Sequence, residues 1–320
     1  MNYTVIRSAI SSLPSVGIIQ LLQDNNIQVI GTDLSLMSAG ANVVDTAYIV
    51  PKANVENEDF LIKKYSEIIK KNRVSSILSG PENEILYLAK YEHEFAKLSC
   101  NIFHPNLNAL KIITDKYLLY KNVNEKLNCG EFYLANEFNA TVCGNKNWIL
   151  KPRNGRGSMG IQLLNKNNLS QNNSLLNEKN IIQEELRGQE FTVDFLCDFD
   201  GQLLNCVPRK REVIDSGIAV AATTVKNSEL INLVKEICNI ISFRGFNCIQ
   251  FIEQKGCYFL TDLNPRIGGG SILSLRACAS LKQNFINLLK SKPVKLNIDE
   301  GSFDTVSMFR YYSEIYKNTN

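Results

Sequence analysis

The first hundred residues alternate short strand-like runs with helix-like ones, and this alternation constrains the fold more than any other feature of the chain. "YTVIR" (3–7), "IQVIGTD" (27–33), "AYIV" (47–50) and "SSILS" (75–79) read as short buried strands. "VGIIQLLQDNN", "FLIKKYSEIIKKN" and "EILYLAKYEHEFAKL" lie between or after them and read as helices; in the second, Leu61, Tyr65, Ile68 and Ile69 recur on one face. Strands joined through helices run parallel, because a parallel pair needs a long crossover. The block therefore predicts an open parallel sheet. Its first strand-to-helix turn, "SAISSLPS", contains no glycine, so the dinucleotide fingerprint is missing where it would belong.

From about residue 106 strands follow one another more directly. A helix-like stretch carries Asp115 and Lys116, and "WILKP" to "IQLLN" reads as strand, glycine loop, strand. The Asn- and Ser-rich segment 165–180 predicts an exposed turn or short helix. "IIQEEL", "EFTVDFLCDFDG" and "QLLNCVPRKR" read as further strands. In the second, Phe191, Val193, Phe195 and Cys197 alternate with Thr192, Asp194 and Asp198, which predicts a half-buried strand. "SELINLVKEICNII" sets Leu230, Leu233, Val234, Ile237 and Ile241 on one helical stripe. "NCIQFIEQKGCYFLTDLNPRIGGGS" then reads as strand, Lys-Gly turn, strand, glycine loop.

Composition narrows the chemistry. The net charge of +3 is too small to imply a nucleic-acid or membrane surface, and no apolar run is long enough to span a bilayer. The start lacks the layout of a signal peptide. The 9 cysteines form no C-x-x-C, which predicts a reducing cytoplasm, no disulfide frame and no zinc. With only 2 histidines, His93 and His104, a histidine triad or multi-histidine metal site is disfavoured. Chemistry must rest on Lys, Arg, carboxylates, amides and backbone N–H groups.

Gly155, Gly157 and Gly160 spell G-x-G-x-x-G, with Lys151 just upstream. A dinucleotide turn would lead into a helix, whereas the β-type run "IQLL" follows at once. A Walker A loop would end in Gly-Lys-Ser/Thr, whereas Lys151 precedes the glycines. Two readings remain: a flap whose bare amides close over phosphates, or a plain surface hairpin. In "FLTDLNPRIGGGS", Asp262 and Asn264 are two apart on one strand face, and Gln250 on "CIQFIE" can meet them across the hairpin. Three oxygen donors of this kind suit Mg²⁺. Arg266, two residues on, would face charge on a transferred phosphoryl group. The alternative is that Asp-x-Asn-Pro caps a turn.

A Lys-then-Gly flap, then "IIQEELRGQEFTVDF", then an oxygen-donor hairpin ending in Asn-Pro-Arg resembles the ATP-grasp family, most of all single modules related to the carbamoyl phosphate synthetase large chain. The resemblance implies a fold of α/β and α+β type: an N-terminal Rossmann-like parallel sheet domain (1–105) followed by a two-lobed ATP-grasp fold. Its small lobe (106–185) would carry the flap 152–160, and its large lobe (186–320) the metal site and a C-terminal edge strand in "DTVSMFRYY". It implies that Lys116 and Lys151 hold the ATP phosphates under a flap containing Gly155, Gly157, Ser158 and Gly160. The hinge would meet the adenine through Gln183, the Glu184 carbonyl and the Leu186 N–H, and Glu190 would take the ribose hydroxyls. Gln250, Asp262 and Asn264 would hold Mg²⁺, with Mn²⁺ as a substitute. Asp262 stands where the family more often has Glu, one methylene shorter; Glu253 could substitute, though strand alternation turns it away from Gln250.

"VPRKREVIDSG" matches a basic stretch that faces phosphate or substrate in relatives. Period-2 spacing puts Arg209 and Arg211 on one face and Lys210 on the other, so Arg209, Arg211 and Arg266 are the candidate catalytic cations, with "IGGGS" (267–271) offering N–H groups to an oxyanion. The implied activity is an ATP-dependent ligase that activates a carboxylate as an acyl phosphate and couples it to an amine or another nucleophile such as a thiol. Its partners would be small-molecule carboxylate and amine substrates, with no nucleic acid and no membrane, and relatives leave a homodimer open. "SGPENE" (79–84) would help build the acceptor pocket, with Glu82 or Glu84 meeting an amine or Glu84 capping its helix. Two other readings stand: a nucleotide- or ligand-binding protein with an impaired metal site, motivated by Asp262, and an NAD(P)-binding oxidoreductase built on the first domain.

Overall fold

The computed structural model describes residues 3–155 and 160–317, and within them the chain forms a parallel sheet followed by two antiparallel sheets. Strands β1 (Tyr3–Ser8), β2 (Ile27–Asp33), β3 (Thr46–Ile49), β4 (Ser76–Leu78) and β5 (Asn101–Ile102) lie in the order β3-β2-β1-β4-β5, all parallel. The apolar stripe of helix Glu58–Asn72, with Leu61, Tyr65, Ile68 and Ile69, packs beneath one face of this sheet. Ile18, Ile19 and Leu22 of helix Ser15–Asp24 cover the other face and join a core that runs on into the following sheets. The run "EILYLAKYEHEFAKL", expected as one helix, is two, Glu82–Lys90 and Glu92–Lys97, separated at Tyr91. The break lets the second helix turn Phe95 into the core beside Ile77 and Ile102.

Strand order reverses beside β1, so the carboxyl ends of β1 and β4 frame the crevice where open parallel sheets receive ligands. The next sheet holds β6 (Phe132–Leu134), β7 (Trp148–Pro152), β8 (Gln162–Leu164) and β9 (Asn180–Glu184), antiparallel in the order β6-β9-β7-β8. Trp148, Leu150, Leu164, Ile182 and Phe138 form its separate core. The polar segment 165–180 holds a short 3-10 turn, Ser170–Leu175, as its composition predicts.

The third sheet contains β10 (Gln189–Cys197), β11 (Leu203–Asp215), β12 (Ile218–Thr224), β13 (Gly245–Gln254), β14 (Cys257–Asn264) and β15 (Ser307–Phe309), in the order β14-β13-β10-β11-β12-β15. β15, from the C-terminal run, forms one edge. The expectation of a half-buried β10 is corrected: Thr192 and Asp194, read as solvent-facing, are 1% and 0% exposed. β10 lies at the centre of the sheet between β11 and β13, and Ser271 and Ser274 of helix Ser271–Ala277 cover its polar face. The alternation is real, but the polar face meets polar protein instead of water.

The β13–β14 hairpin turns on Lys255 and Gly256, with φ of 54° and 79°. Two consecutive left-handed residues are what a tight hairpin turn demands. Further along, the register slips by one residue between Gln250↔Asp262 and Phe251↔Leu260. The extra residue is Thr261, a bulge that sets Asp262 directly opposite Gln250.

Candidate active site

Three elements meet at two lysines. Lys151 on β7 is buried, and its Nζ donates to Gln183 Oε1 (2.7 Å), Tyr120 Oη (2.8 Å) and the Thr261 carbonyl (3.2 Å). Tyr120 Oη in turn donates to the same carbonyl at 2.6 Å. The bulge therefore does more than set register: the carbonyl it turns aside anchors the lysine. Burial, and then the neighbouring Lys116 charge, pull the Lys151 ammonium down to a pKa of about 7.

Lys116 opens helix Lys116–Val123. Asp115 caps that helix by accepting from the N–H groups of Tyr117 and Leu118, and Arg153 at the base of the glycine loop pairs with Asp115 at 2.6 Å. So positioned, Lys116 Nζ donates to the Gly155 carbonyl (2.9 Å) and lies 3.2 Å from Asp262 Oδ1. Gly157 and Ser158 fall outside the described residues. Gly160 has a φ of 75°, where any side chain is strained, and a Cβ there would lie 3.0 Å from Pro152.

At the hinge, Gln183 is buried; its Nε2 donates to the carbonyls of Cys129 (2.6 Å) and Leu260 (3.2 Å), and its Oε1 accepts from Lys151, with Tyr120 Oη 3.2 Å away. Its side chain therefore braces Lys151 from within the protein. Glu184 Oε1 accepts from the Glu131 N–H at 3.2 Å. The Leu186 N–H has no hydrogen-bond partner among the described residues. Glu190 Oε2 accepts from Arg211 Nη1 at 2.7 Å.

On the hairpin the three oxygen donors come together and each is held. Gln250 Oε1 accepts from Arg211 Nη1 (3.2 Å), Asp262 Oδ2 from Asn264 Nδ2 (3.2 Å), and Asn264 Oδ1 from Arg266 Nη2 (2.9 Å). Glu253 Oε1 accepts from the Gly256 N–H at 2.9 Å and serves the turn. No group of three or more His, Cys, Asp or Glu is placed to hold a metal ion among the described residues. An oxygen set with one carboxylate fits a hard cation that takes its remaining ligands from water and phosphate.

Arg209 and Arg211 share one face of β11, both buried, while Lys210 on the other side pairs with Glu212 at 2.9 Å. Arg211 also donates to the Gly217 carbonyl (2.7 Å), and Arg209 Nε donates to Asp194 Oδ2 (2.8 Å). Arg266 reaches Glu82 of the first block at 3.8 Å, which brings the end of β4 to the hairpin. Glu84 makes no cap bond at the start of its helix: it is buried, accepts from Ser79 Oγ at 2.5 Å, and burial pushes its carboxyl upward. At the glycine-free first turn, Asp33 accepts from the N–H groups of Ser11 and Leu34, both at 2.7 Å. A dinucleotide site would leave an acid at the end of β2 for ribose.

Tyr120, Thr261 and Asp194 carry no sequence signal for these roles. A tyrosine on a helix and a threonine in a strand are ordinary, and the period-2 pattern of β10 pointed Asp194 at water.

A family model described as an ATP-grasp domain matches residues 113–270, and one described as the PylC-like N-terminal domain matches residues 11–103. Comparison with curated proteins gives no match. Solved structures similar to this chain include biotin carboxylase from Campylobacter jejuni in a β,γ-ATP complex, with 13% identity over 94% of this chain and 73% of that chain and a TM-score of 0.72. The biotin carboxylase domain dimer of Hydrogenobacter thermophilus 2-oxoglutarate carboxylase, with MgADP and bicarbonate, gives 13%, 95%, 73% and 0.75 in the same order. N5-carboxyaminoimidazole synthetase from Staphylococcus aureus with ADP gives 17%, 92%, 79% and 0.74. At these identities the likeness is one of fold. No helix among the described residues is long and apolar enough to cross a membrane.

Proposed function

From the premise that the chain carries an ATP-grasp domain behind a PylC-like N-terminal domain, we propose that it is an ATP-dependent ligase joining a small-molecule carboxylate to an amine or other nucleophile, with release of ADP and phosphate. We divide it into an N-terminal domain (1–105), a small lobe with the glycine flap (106–185) and a large lobe (186–320), acting in the cytoplasm. The observation that carries the reading is the meeting of Lys116, Lys151 and Asp262 between the two antiparallel sheets. Two ammonium groups beside an oxygen-donor hairpin suit a triphosphate and little else of comparable size.

In this mechanism Lys151 and Lys116 bind the phosphates, the Leu186 N–H and the Glu184 carbonyl meet the adenine edge, and Glu190 takes the ribose hydroxyls. A bound magnesium, or manganese in its place, would be held by Gln250, Asp262 and Asn264 and would neutralise charge on the phosphate oxygens. The substrate carboxylate oxygen attacks the γ-phosphorus, the bond to the bridging oxygen breaks, and ADP leaves. Arg266 faces the charge that develops there. The nucleophile then adds to the acyl carbon, the C–O bond to phosphate breaks, phosphate leaves with the electron pair, and the proton the amine gives up on forming the new bond is taken by the departing phosphate. Such transfer is mostly positioning and charge stabilisation, which a site without histidine can supply.

Incubation with ATP, Mg²⁺ and pooled carboxylates and amines, read by mass spectrometry, is expected to yield coupled product with ADP, lost in Lys151→Ala and Asn264→Ala. A second reading, a nucleotide-binding protein with impaired catalysis, is favoured by the single carboxylate among the metal donors. ATP binding without turnover across the pool would decide for it.

A further inference from the structure

Asp194 is 0% exposed and belongs to no motif. A buried carboxylate is tolerated only when its oxygens are fully paired, and here three donors converge: Arg209 Nε at 2.8 Å, Ser271 Oγ at 2.7 Å and Ser274 Oγ at 2.6 Å. Ser271 Oγ also accepts from the Gly268 N–H at 2.9 Å. A hydroxyl has one proton, and Ser271 gives it to Asp194 while receiving Gly268 on a lone pair. A continuous chain of bonds thus runs from the start of the glycine loop through Ser271 and Asp194 to Arg209. Arg310 donates to the Gly269 carbonyl and ties the loop from its other side.

The way Asp194 grips Arg209 is informative. A carboxylate that only neutralised a guanidinium would take it fork to fork, with two parallel bonds. Asp194 takes Nε alone and spends its remaining capacity on two hydroxyls. Arg209 is 3% exposed, and its Nη1 and Nη2 have no hydrogen-bond partner among the described residues. They lie against the loop: a Cβ on Gly270 would sit 2.5 Å from Nη1, and one on Gly268 would sit 3.7 Å from Nη2. The N–H groups of Gly269 and Gly270 also lack partners among the described residues. Two unpartnered guanidinium nitrogens and two unpartnered amides on adjoining elements are an arrangement for an anion.

We propose that Asp194 is a positioning residue: through Arg209, Ser271 and Ser274 it fixes the guanidinium edge and the Gly268–Gly270 loop as one unit that receives the substrate carboxylate. The identity of the anion rests on the ligase reading; the clamp itself does not.

Two measurements on the full chain separate these. Hydrogen exchange of peptides spanning 267–275 is expected to speed up at least about tenfold in Asp194→Asn, with the β7–β9 peptides unchanged. In turnover, the KM for the carboxylate is expected to rise about tenfold or more while the KM for ATP stays within about twofold, a split that general loosening would not give. Should Asp194→Asn not accumulate as folded protein, Ser274→Ala, which removes one of the three bonds, carries the same test. Unchanged loop exchange in a folded variant overturns the inference, and so do KM values that rise together. Wild-type protein whose loop exchange is slow and quickens in both variants, yet which forms no ADP with any carboxylate, supports the clamp and overturns the ligase reading.

Discussion

The Lys116 ammonium lies 3.2 Å from the Asp262 carboxylate, and the same Nζ donates to the Gly155 carbonyl at 2.9 Å. One side chain therefore joins a helix start, the base of the glycine loop and the oxygen-donor hairpin, the last of them far along the sequence from the other two. Its partners are the groups a magnesium–nucleotide complex would address.

Lys116→Ala is expected to raise the Kd for MgADP about tenfold or more, roughly 1.4 kcal/mol. Lys116→Arg, which keeps the charge, should lose less. Isothermal calorimetry at fixed Mg²⁺ reads both, and an unchanged Kd in the alanine variant would remove Lys116 from the nucleotide site.

If Lys151 holds the phosphates as proposed, nucleotide binding is expected to be sensitive to pH. Burial lowers its pKa from 10.5 to about 7. Bound phosphate favours the protonated form, so binding takes up a proton above about pH 7 and affinity falls as pH rises, by up to about tenfold per unit. The sign for stability is opposite: between about 7 and 10.5 the unfolded chain holds the proton and the folded chain does not, so folding stability rises with pH in that window. Calorimetric titration of MgADP between about pH 6 and 9 should show the fall in wild type and a flat profile in Lys151→Met.

Asp262 is the single carboxylate among the three hairpin donors. Asp262→Asn should raise the Mg²⁺ concentration needed for half-maximal nucleotide-dependent activity about tenfold or more, whereas Asp262→Glu should keep it within a few-fold. Equal Mg²⁺ curves for wild type and the asparagine variant would place the ion elsewhere.

Gly270 has φ −100° and ψ 0°, a conformation open to any residue, so glycine is required there for space. A Cβ would meet Arg209 Nη1 at 2.5 Å and Cζ at 2.7 Å. Gly270→Ala should displace the guanidinium and raise the carboxylate KM about tenfold, with MgADP binding intact. A crystal structure of the variant with Arg209 unmoved would refute this.

Trp148 anchors the core of the β6-β9-β7-β8 sheet: it is 0% exposed, donates Nε1 to the Cys143 carbonyl at 2.9 Å, and meets Phe138 edge-on at 5.0 Å. Trp148→Ala should destabilise that sheet and its core by about 3–5 kcal/mol. Urea unfolding followed by circular dichroism measures the loss, and a change below about 1 kcal/mol would mean that this core is organised around another residue.

Local pattern determined a good deal here by itself. The βα alternation fixed a parallel sheet at the start, the Lys-Gly turn between "CIQFIEQ" and "CYFLTDLN" marked the hairpin, and the strand-like runs on either side of the glycines marked the β7–β8 pair, because period and spacing follow directly from backbone geometry. What only the tertiary structure decided is which partner each polar group meets. Asp194 reads as solvent-facing and is wholly buried, since a period-2 strand reports that its faces differ and not what covers them. Nothing local says that the Gln183 side chain braces Lys151, and the Thr261 bulge that supplies that lysine's carbonyl leaves no mark in composition. Side-chain pairing across distant segments depends on packing and desolvation between elements, and no local stretch of sequence encodes either.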